Sequence, residues 1–276
     1  MSMETPTAAD TTPGTFAAAT AVTPAGGGKW TAEIRSGWDI GGNANGGYLL
    51  AIAARALLAE TGRTDPVTVT GHYLAPGRPG PLTVGTRVLK EGSRFTDAFA
   101  LLETGGRPLL SVLGSFGDLD QKGADLLVRG APPELPPPGR CVLIEASDTF
   151  PPPFMGNVEL HVHPDDIGFA TGRPSGIPRV RGWFRLPNGE LVDTVALLCA
   201  LDAFPPTIFN AALPRAWTPT VELTTHVRAR PGPGWLRCRF TTRFVTAGFL
   251  EEDGEIWDEQ GRLIAQSRQL ALVPRG

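Results

Sequence analysis

A single carboxylate interrupts one of the most apolar runs of the chain. Asp202 follows the run Leu198-Cys-Ala-Leu, and Ala-Phe-Pro-Pro206 follows it in turn. Removing a carboxylate from water is costly unless the group is hydrogen-bonded or has a functional role. Two interpretations stay open. Asp202 is a general base in an apolar site, or it is a solvated helix end that accepts a hydrogen bond from a nearby backbone N–H.

Other polar residues lie in strand-like runs of the same half. Gln269 stands in Ser267-Arg-Gln-Leu-Ala-Leu, and its carboxamide offers both a donor and an acceptor that could hold a water molecule. The alternative is an edge-strand residue that faces water. Thr224 and Thr225 are neighbours, so only one of them can face inward. Threonine is common in strands for its β-propensity alone, and this pair becomes functional only with a partner.

A glycine-rich loop precedes an apolar helix in the first half. The loop Gly41-Gly-Asn-Ala-Asn-Gly-Gly47 leads into a predicted helix through Tyr48–Leu58. Its backbone N–H groups at a positive helix end suit an oxyanion or a phosphate. It lacks the spacing of a dinucleotide-binding loop. A tight turn with Asn45 as the helix N-cap is the other interpretation.

Composition excludes several other functions. The formal charge is 25 − 28 = −3 with no basic cluster, which argues against a nucleic-acid partner. Three widely spaced cysteines do not form a disulfide framework or a zinc site, and His161 and His163 lack a third ligand. No GxSxG elbow occurs. We therefore expect no metal and no cofactor. No apolar run is long enough to cross a membrane, and with no secretory signal visible we expect a cytoplasmic protein.

The elements that must position these residues occur twice. One repeated run is Gly71-His-Tyr-Leu-Ala-Pro in the first half, which matches Thr225-His-Val-Arg-Ala-Arg-Pro in the second half. Its two histidines are 226 − 72 = 154 residues apart. A second repeated run is Gly105-Gly-Arg-Pro-Leu-Leu, which matches Gln260-Gly-Arg-Leu-Ile-Ala. The glycines at 106 and 261 are 261 − 106 = 155 residues apart. Two matches at nearly one offset indicate two copies of one domain. The copies differ where chemistry could lie, since Gln269 replaces Gly114 of the first copy.

Each copy is predicted to contain one apolar helix followed by a meander of antiparallel strands. The second helix is predicted over Glu190–Phe204, before Pro205-Pro206. A helix that is apolar nearly all round must be buried, and a curled sheet can enclose it. This predicts an α+β fold, a tandem hotdog in which each antiparallel sheet wraps around one long buried helix. The predicted domains are an N-terminal hotdog at 15–118, a proline-rich linker at 119–156 and a C-terminal hotdog at 157–276.

The motifs resemble the double-hotdog acyl-CoA thioesterases, the group of bacterial acyl-CoA thioesterase II. The resemblance spans about Trp30 to Val273. It is carried in the first copy by Gly41-Gly-Asn-Ala-Asn-Gly-Gly-Tyr, His72-Tyr-Leu-Ala-Pro-Gly and Glu91-Gly-Ser-Arg-Phe-Thr. In the second copy it is carried by Ala200-Leu-Asp-Ala and by the run from Trp257 to Gln269.

The resemblance implies catalytic residues in the second hotdog. There the family carries an Asp, a Thr or Ser, and a Gln that hold the attacking water, and these fall on Asp202, Thr225 and Gln269, with Thr224 as the alternative hydroxyl. The strand of Thr225 departs from the usual Asp-His-Ser-rich pattern of the family. Asn45, Gly46, Gly47 and Tyr48 are the expected substrate-binding residues, and a backbone N–H pair at a buried helix start would stabilise the oxyanion.

The implied reaction is hydrolysis of an acyl-CoA thioester without a covalent acyl-enzyme. Acyl-CoA is the expected partner, and a homo-oligomer is expected because oligomers are common in this family. Two alternatives remain. One is a non-catalytic acyl-CoA binding or sensing protein. The other is a hotdog enoyl-CoA hydratase or dehydratase, which would need a paired Asp and His, whereas His72 and His226 have no Asp five residues upstream.

Overall fold

One continuous antiparallel sheet forms most of the molecule. The computed structural model describes residues 15–119, 127–147, 150–211, 213 and 218–273. Fourteen of the described strands belong to the large sheet, and two form a small hairpin before the first long helix. In these described ranges, no helix is long and apolar enough to cross a membrane.

The first copy contains eight strands and two helices. Its helices are α1 (Phe16–Ala19) and α2 (Gly46–Thr61), and its strands are β1 (Thr23–Gly26), β2 (Lys29–Ile34), β3 (Asp39–Ile40), β4 (Asn43–Ala44), β5 (Asp65–Tyr73), β6 (Gly80–Glu91), β7 (Phe95–Thr104) and β8 (Arg107–Gly117). The predicted meander of the first copy is therefore confirmed. Its strands follow the order β1-β2-β6-β7-β8-β5 in the sheet.

The second copy repeats this plan with a shorter helix. Its helix is α3 (Ala196–Ala200), and its strands, with one from the linker, are β9 (Val142–Leu143), β10 (Glu159–Val162), β11 (Arg179–Arg185), β12 (Thr220–Val227), β13 (Leu236–Thr241), β14 (Val245–Thr246), β15 (Phe249–Trp257) and β16 (Leu263–Leu272). They follow the order β12-β16-β15-β13-β11-β10-β9, with β14 beside β15.

Helix α2 is the buried helix that the first copy was predicted to contain. Ten of its sixteen residues are buried, from Gly47 through Leu57. The Asn45 side chain caps its start by accepting the N–H of Tyr48 at 2.8 Å. It ends at Gly62, whose φ of 65° is the left-handed conformation that glycine adopts without strain. The sheet of β5 to β8 packs around this helix, as expected for a hotdog.

The prediction of an equally long helix over 190–204 is wrong. Helix α3 spans only Ala196–Ala200, because the residues before it serve other contacts. The Glu190 carboxylate accepts the N–H groups of Phe16 at 2.8 Å and Ala17 at 2.9 Å, and so caps α1 of the other copy. Apolar content alone did not distinguish these partly exposed residues, which lie outside any helix, from a buried helix.

The two copies join edge to edge at equivalent strands. Strands β5 and β12 pair antiparallel, with Thr70 opposite Thr224. These residues differ by 224 − 70 = 154, the offset of the repeat, and their hydroxyl oxygens lie 2.9 Å apart. A pseudo-twofold axis therefore passes between them. It brings the start of α2 beside α3, so each copy completes the other near the axis.

The proline-rich linker is part of the sheet and of the core. Strand β9 pairs with β10, and the Trp183 indole N–H donates to the Pro136 carbonyl at 2.8 Å. Residues 120–126, 148 and 149 of the predicted linker lie outside the described residues. The boundaries at 118 and 156 stay a prediction.

Candidate active site

Asp202 lies where the two copies meet, at the N-terminus of α2. Its Oδ2 accepts the backbone N–H of Gly47 at 2.8 Å and the Asn45 amide N–H at 3.0 Å. The same Asn45 amide nitrogen also donates to the Asp202 carbonyl at 2.8 Å. Oδ1 has no hydrogen-bond partner among the described residues. One carboxylate oxygen is thus fixed and the other is available to a ligand.

The surroundings of Asp202 raise its pKa from 3.8 to about 6. Burial is the largest cause, because it disfavours the charged form. The N–H groups of Gly47 and Gly46 and the Asn45 amide act in the opposite direction and keep the pKa from rising further. The result is a carboxyl group that is ionised at neutral pH and basic enough to accept a proton.

Gly47 permits the close approach that makes this contact. A Cβ at this position would lie 2.6 Å from the Leu198 carbonyl oxygen and 2.8 Å from the Asp202 Cβ. No larger residue fits between α2 and α3 without moving one of them. The glycine therefore serves helix packing and Asp202.

Gln269 faces the same cavity from β16. Its amide nitrogen donates to the hydroxyl of Thr220 on β12, and both residues line the cavity with Asp202. That bond uses one of the two amide hydrogens and turns the carboxamide oxygen away from Thr220. The structure therefore brings Gln269 and Asp202 to one cavity and adds Thr220 to them.

The structure does not bring Thr225, the hydroxyl predicted from the sequence, to the lining of the cavity. Thr225 is fully buried, and its hydroxyl donates to the Val69 carbonyl at 3.0 Å. Thr224, the alternative, contacts the hydroxyl of Thr70 at the pseudo-twofold axis and the carboxylate of Glu222. Neither is among the cavity-lining residues. The inward face of β12 was correctly assigned to Thr225, but that part of the strand lies under the junction of the two copies.

Of the four predicted substrate-binding residues, two line the cavity and two do not. Asn45 and Gly46 line the cavity. Gly47 does not line it, and its N–H is bound to Asp202. Tyr48 does not line it either: its ring stacks on Trp38 with 4.8 Å between the ring centroids, and its hydroxyl donates to the Ala19 carbonyl at 2.9 Å. Tyr48 follows Gly46 by two residues, about half a helical turn, and therefore points into the core of the first copy, away from the cavity.

Two cavity residues were missed by sequence reasoning. Tyr73, in the signature run after His72, has a buried hydroxyl without a partner among the described residues. Burial, together with the charges of Asp202 and Glu222, raises its pKa well above 10.0. Glu252 on β15 is the cross-strand neighbour of Gln269. The strand alternation around Gln269 could have found Glu252, since directly paired residues share a face.

The cavity itself has a volume of about 970 Å³. That is at the upper end of the range for sites that enclose small ligands. Its wall is mainly apolar, with Leu201, Phe204, Phe209, Phe240 and Leu250 from the second copy and Leu143, Ile144 and Met155 from the linker. Among the described lining residues, the ionisable groups are Glu145, Tyr73, Asp202 and Glu252, with no lysine, arginine or histidine. Nowhere in the described ranges do three potential metal-ligating side chains come together.

Models of one protein family match both halves of the chain. Residues 34–117 match the model of the acyl-CoA thioesterase N-terminal domain, and residues 133–273 match that of the C-terminal domain. The chain is 32% identical to the uncharacterized protein Rv0499 of Mycobacterium tuberculosis, over 88% of this chain and 90% of that one.

Solved structures show the same architecture. A candidate thioesterase II from Thermobifida fusca YX is similar with a TM-score of 0.87 and 35% identity, covering 94% of this chain and 97% of its own. A protein of unknown function with a hotdog fold from Alicyclobacillus acidocaldarius has a TM-score of 0.82 at 19% identity, covering 95% and 98% of the two chains, which shows the fold alone. The chain belongs to the acyl-CoA thioesterase family and has its double hotdog fold.

Proposed function

We propose that the protein hydrolyses acyl-CoA thioesters with a water molecule that Asp202 activates. The observation that carries this proposal is the Asp202 carboxylate, held by α2 through one oxygen and open to an apolar cavity through the other. A base with a pKa of about 6 is ionised at neutral pH and still accepts a proton. The apolar wall suits an acyl chain.

The attacking water would be held by two acceptors. It donates one hydrogen to Oδ1 of Asp202 and the other to the carboxamide oxygen of Gln269, so its lone pair is directed at the thioester carbon. Thr220 acts as a positioning residue, because its hydroxyl accepts the Gln269 amide and sets the orientation of the carboxamide. Placement of the reactants accounts for much of the rate, since thioester carbonyls are already reactive.

Proton balance follows from these roles. As water attacks, its proton passes to Asp202, and the carbonyl becomes a tetrahedral oxyanion. The carbon–sulfur bond then breaks, and the CoA thiolate takes a proton from Asp202 or from solvent. The N–H of Gly47 donates to Oδ2 of Asp202, so it is not free to bind the oxyanion. In this proposal Gly47 supports the base, whereas the sequence led us to expect a backbone N–H pair at the helix start to bind the oxyanion.

Two other functions receive less support. A hydratase would need a histidine beside the acid, and neither His72 nor His226 lines the cavity. A binding protein without activity would not need a carboxylate of raised pKa next to an oriented carboxamide. Homo-oligomerisation and a cytoplasmic location remain proposals, and size-exclusion chromatography with light scattering tests the former.

The experiment is a thiol-release assay on saturated acyl-CoAs of short, medium and long chain. We expect CoA release that depends on chain length, because the cavity is closed by aromatic and aliphatic side chains. Calorimetric binding of the same acyl-CoAs is measured in parallel. Tight binding without any CoA release would favour the binding protein and contradict hydrolysis.

A further inference from the structure

A second carboxyl group lies in the cavity and has its own hydrogen-bonding system. Glu252 Oε2 accepts the N–H of Thr207 at 2.8 Å and lies 2.8 Å from the Thr207 hydroxyl. The other oxygen, Oε1, has no partner among the described residues, and the residue lines the cavity. Thr207 is fully buried, so the surrounding protein holds its side chain in place against Glu252.

The hydroxyl of Thr207 begins a chain of short contacts. It lies 2.7 Å from the hydroxyl of Thr242, which lies 2.7 Å from the backbone carbonyl oxygen of Glu251. The chain therefore has three oxygen–oxygen contacts: from Glu252 to Thr207, from Thr207 to Thr242, and from Thr242 to the carbonyl. Each is short enough to need a hydrogen between its two oxygens.

Counting hydrogens shows which form of Glu252 satisfies this chain. The two threonine hydroxyls supply one hydrogen each, and the carbonyl supplies none. With Glu252 ionised, two hydrogens must serve three contacts, and one contact becomes a repulsion between lone pairs. With Glu252 protonated, Glu252 donates to Thr207, Thr207 to Thr242, and Thr242 to the carbonyl. Only the neutral acid satisfies every contact.

The electrostatic surroundings favour the same form. Burial and the negative charges of Asp202 and Glu251 raise the pKa of Glu252 from 4.5 to about 7, while the backbone N–H of Thr207, which donates to Oε2, opposes the rise. The other sides of Glu252 face Gln269 on β16, which carries no charge, and the described cavity lining holds no cation. Arg243, the cation nearest in sequence, pairs with Glu251 and Asp253 instead.

We propose that Glu252 is a second ionisable group of the reaction site, kept as a neutral acid by the Thr207–Thr242 hydroxyl chain so that Asp202 is the one buried anion of the described cavity lining. Glu145, the other carboxylate of that lining, is exposed to solvent. This inference rests on the proposed hydrolysis. Attack by water builds negative charge on the carbonyl oxygen and then on the leaving sulfur. A second carboxylate in the same apolar cavity would oppose both charges, so activity falls as Glu252 ionises.

The test compares pH profiles of kcat/KM. In the wild type, kcat/KM should fall on the alkaline side, by about tenfold per pH unit if the dianionic cavity is inactive. Glu252→Gln is neutral at every pH and should lose this fall. Thr242→Val removes the last hydroxyl of the hydroxyl chain. The Thr207 hydroxyl can then donate its hydrogen to the ionised Glu252, and no oxygen–oxygen contact is left without a hydrogen. The alkaline fall should then move to lower pH.

Thr225→Val is the matched control. It also removes a buried threonine hydroxyl of the second copy, but that hydroxyl contacts the Val69 carbonyl and not the cavity. Its alkaline fall should coincide with that of the wild type. An alkaline fall that stays at the same pH in both Glu252→Gln and Thr242→Val would overturn the proposal.

Infrared difference spectroscopy on the intact protein gives a readout that does not depend on activity. The wild type should show the carbonyl band of a protonated carboxylic acid below neutral pH, and the band should disappear as the pH rises. Asp202 also gives such a band below its pKa of about 6, so the Glu252 band is the part that Glu252→Gln lacks, or, if that variant fails to fold, the part that disappears at lower pH in Thr242→Val. Its absence from the wild type would overturn the proposal. Its presence in a protein that releases no CoA would uphold the proton assignment and contradict hydrolysis.

Discussion

Replacing Asp202 by asparagine removes the proposed base and keeps the shape of the site. An asparagine side chain can place its oxygen where Oδ2 accepts the N–H of Gly47 at 2.8 Å. Its amide group then occupies the position of Oδ1 and cannot accept a proton from water. Because general bases contribute about 10²–10⁴-fold, we expect Asp202→Asn to lower kcat by that factor and to change KM little.

The same substitution should stabilise the fold. The Asp202 pKa is raised from 3.8 to about 6, so the folded state favours the neutral acid. Stability from a raised pKa is fully present below the ordinary value and is lost as the pH rises through the folded value. At neutral pH, the rise of the Asp202 pKa from 3.8 to about 6 lowers the free energy of unfolding by about 3 kcal/mol. The neutral asparagine does not have this effect. The variant should therefore be more stable than the wild type at neutral pH and no more stable below the ordinary pKa.

Two assays check this reasoning together. Steady-state thiol release across pH should show kcat/KM of the wild type falling about tenfold per pH unit below about 6. Urea unfolding near pH 4 and at neutral pH should show the gain in free energy of unfolding only at the higher pH. An Asp202→Asn variant with unchanged kcat would refute the role of the base. A gain in stability that is independent of pH would refute the electrostatic explanation.

Three further outcomes are expected. Gly47→Ala should lower the free energy of unfolding by about 1–3 kcal/mol and reduce kcat, because its Cβ would lie 2.6 Å from the α3 backbone. Urea unfolding measures the loss of stability, and thiol release measures kcat. Thr220→Val should lower kcat, because it releases the Gln269 carboxamide. Thr225→Val should lower the free energy of unfolding by about 1 kcal/mol and leave kcat unchanged. Equal effects of the two variants on kcat would contradict the positioning role proposed for the Thr220 hydroxyl. Arg230→Met should destabilise the fold by at least about 2 kcal/mol near neutral pH, because it leaves the buried Asp65 carboxylate without its cation. The Asp65 pKa is lowered mainly by Arg230 and hydrogen bonds that outweigh burial, so this contribution should be lost as the pH falls through the folded pKa, and thermal unfolding at several pH values tests that sign.

Much of the fold was predictable because it depends on local pattern. Strand alternation and turn glycines predicted the longer strands of both copies but not the short strands β1, β3, β4, β9 and β14, and the apolar run after Asn45 predicted α2 with its N-cap. The repeat offset of 154 predicted two related copies, and the pairing of Thr70 with Thr224 places that offset on a pseudo-twofold axis. Asp202 and Gln269 could be singled out because a polar side chain in an apolar run is costly to bury.

Tertiary structure decided the rest, because those features depend on contacts between distant residues. Helix α3 begins after Asp193, whose carboxylate accepts the N–H of Ala196 at 2.7 Å, and the carboxylate of Glu190 binds the N-terminus of α1 instead of extending the helix. The choice of Thr220 over Thr225 depended on which part of β12 lies under the junction of the two copies, and alternation along one strand cannot report this.

The partners of Asp202 illustrate the same division. The sequence alone identified a buried acid and a glycine-rich helix start, 155 residues apart, as separate candidates. Only the packing of the two copies places the N–H of Gly47 on the Asp202 carboxylate, so this group, expected from the sequence to bind an oxyanion, instead supports the base that we propose. Hydrophobic periodicity determines which face of an element is buried, whereas the docking of two copies determines which polar groups meet there.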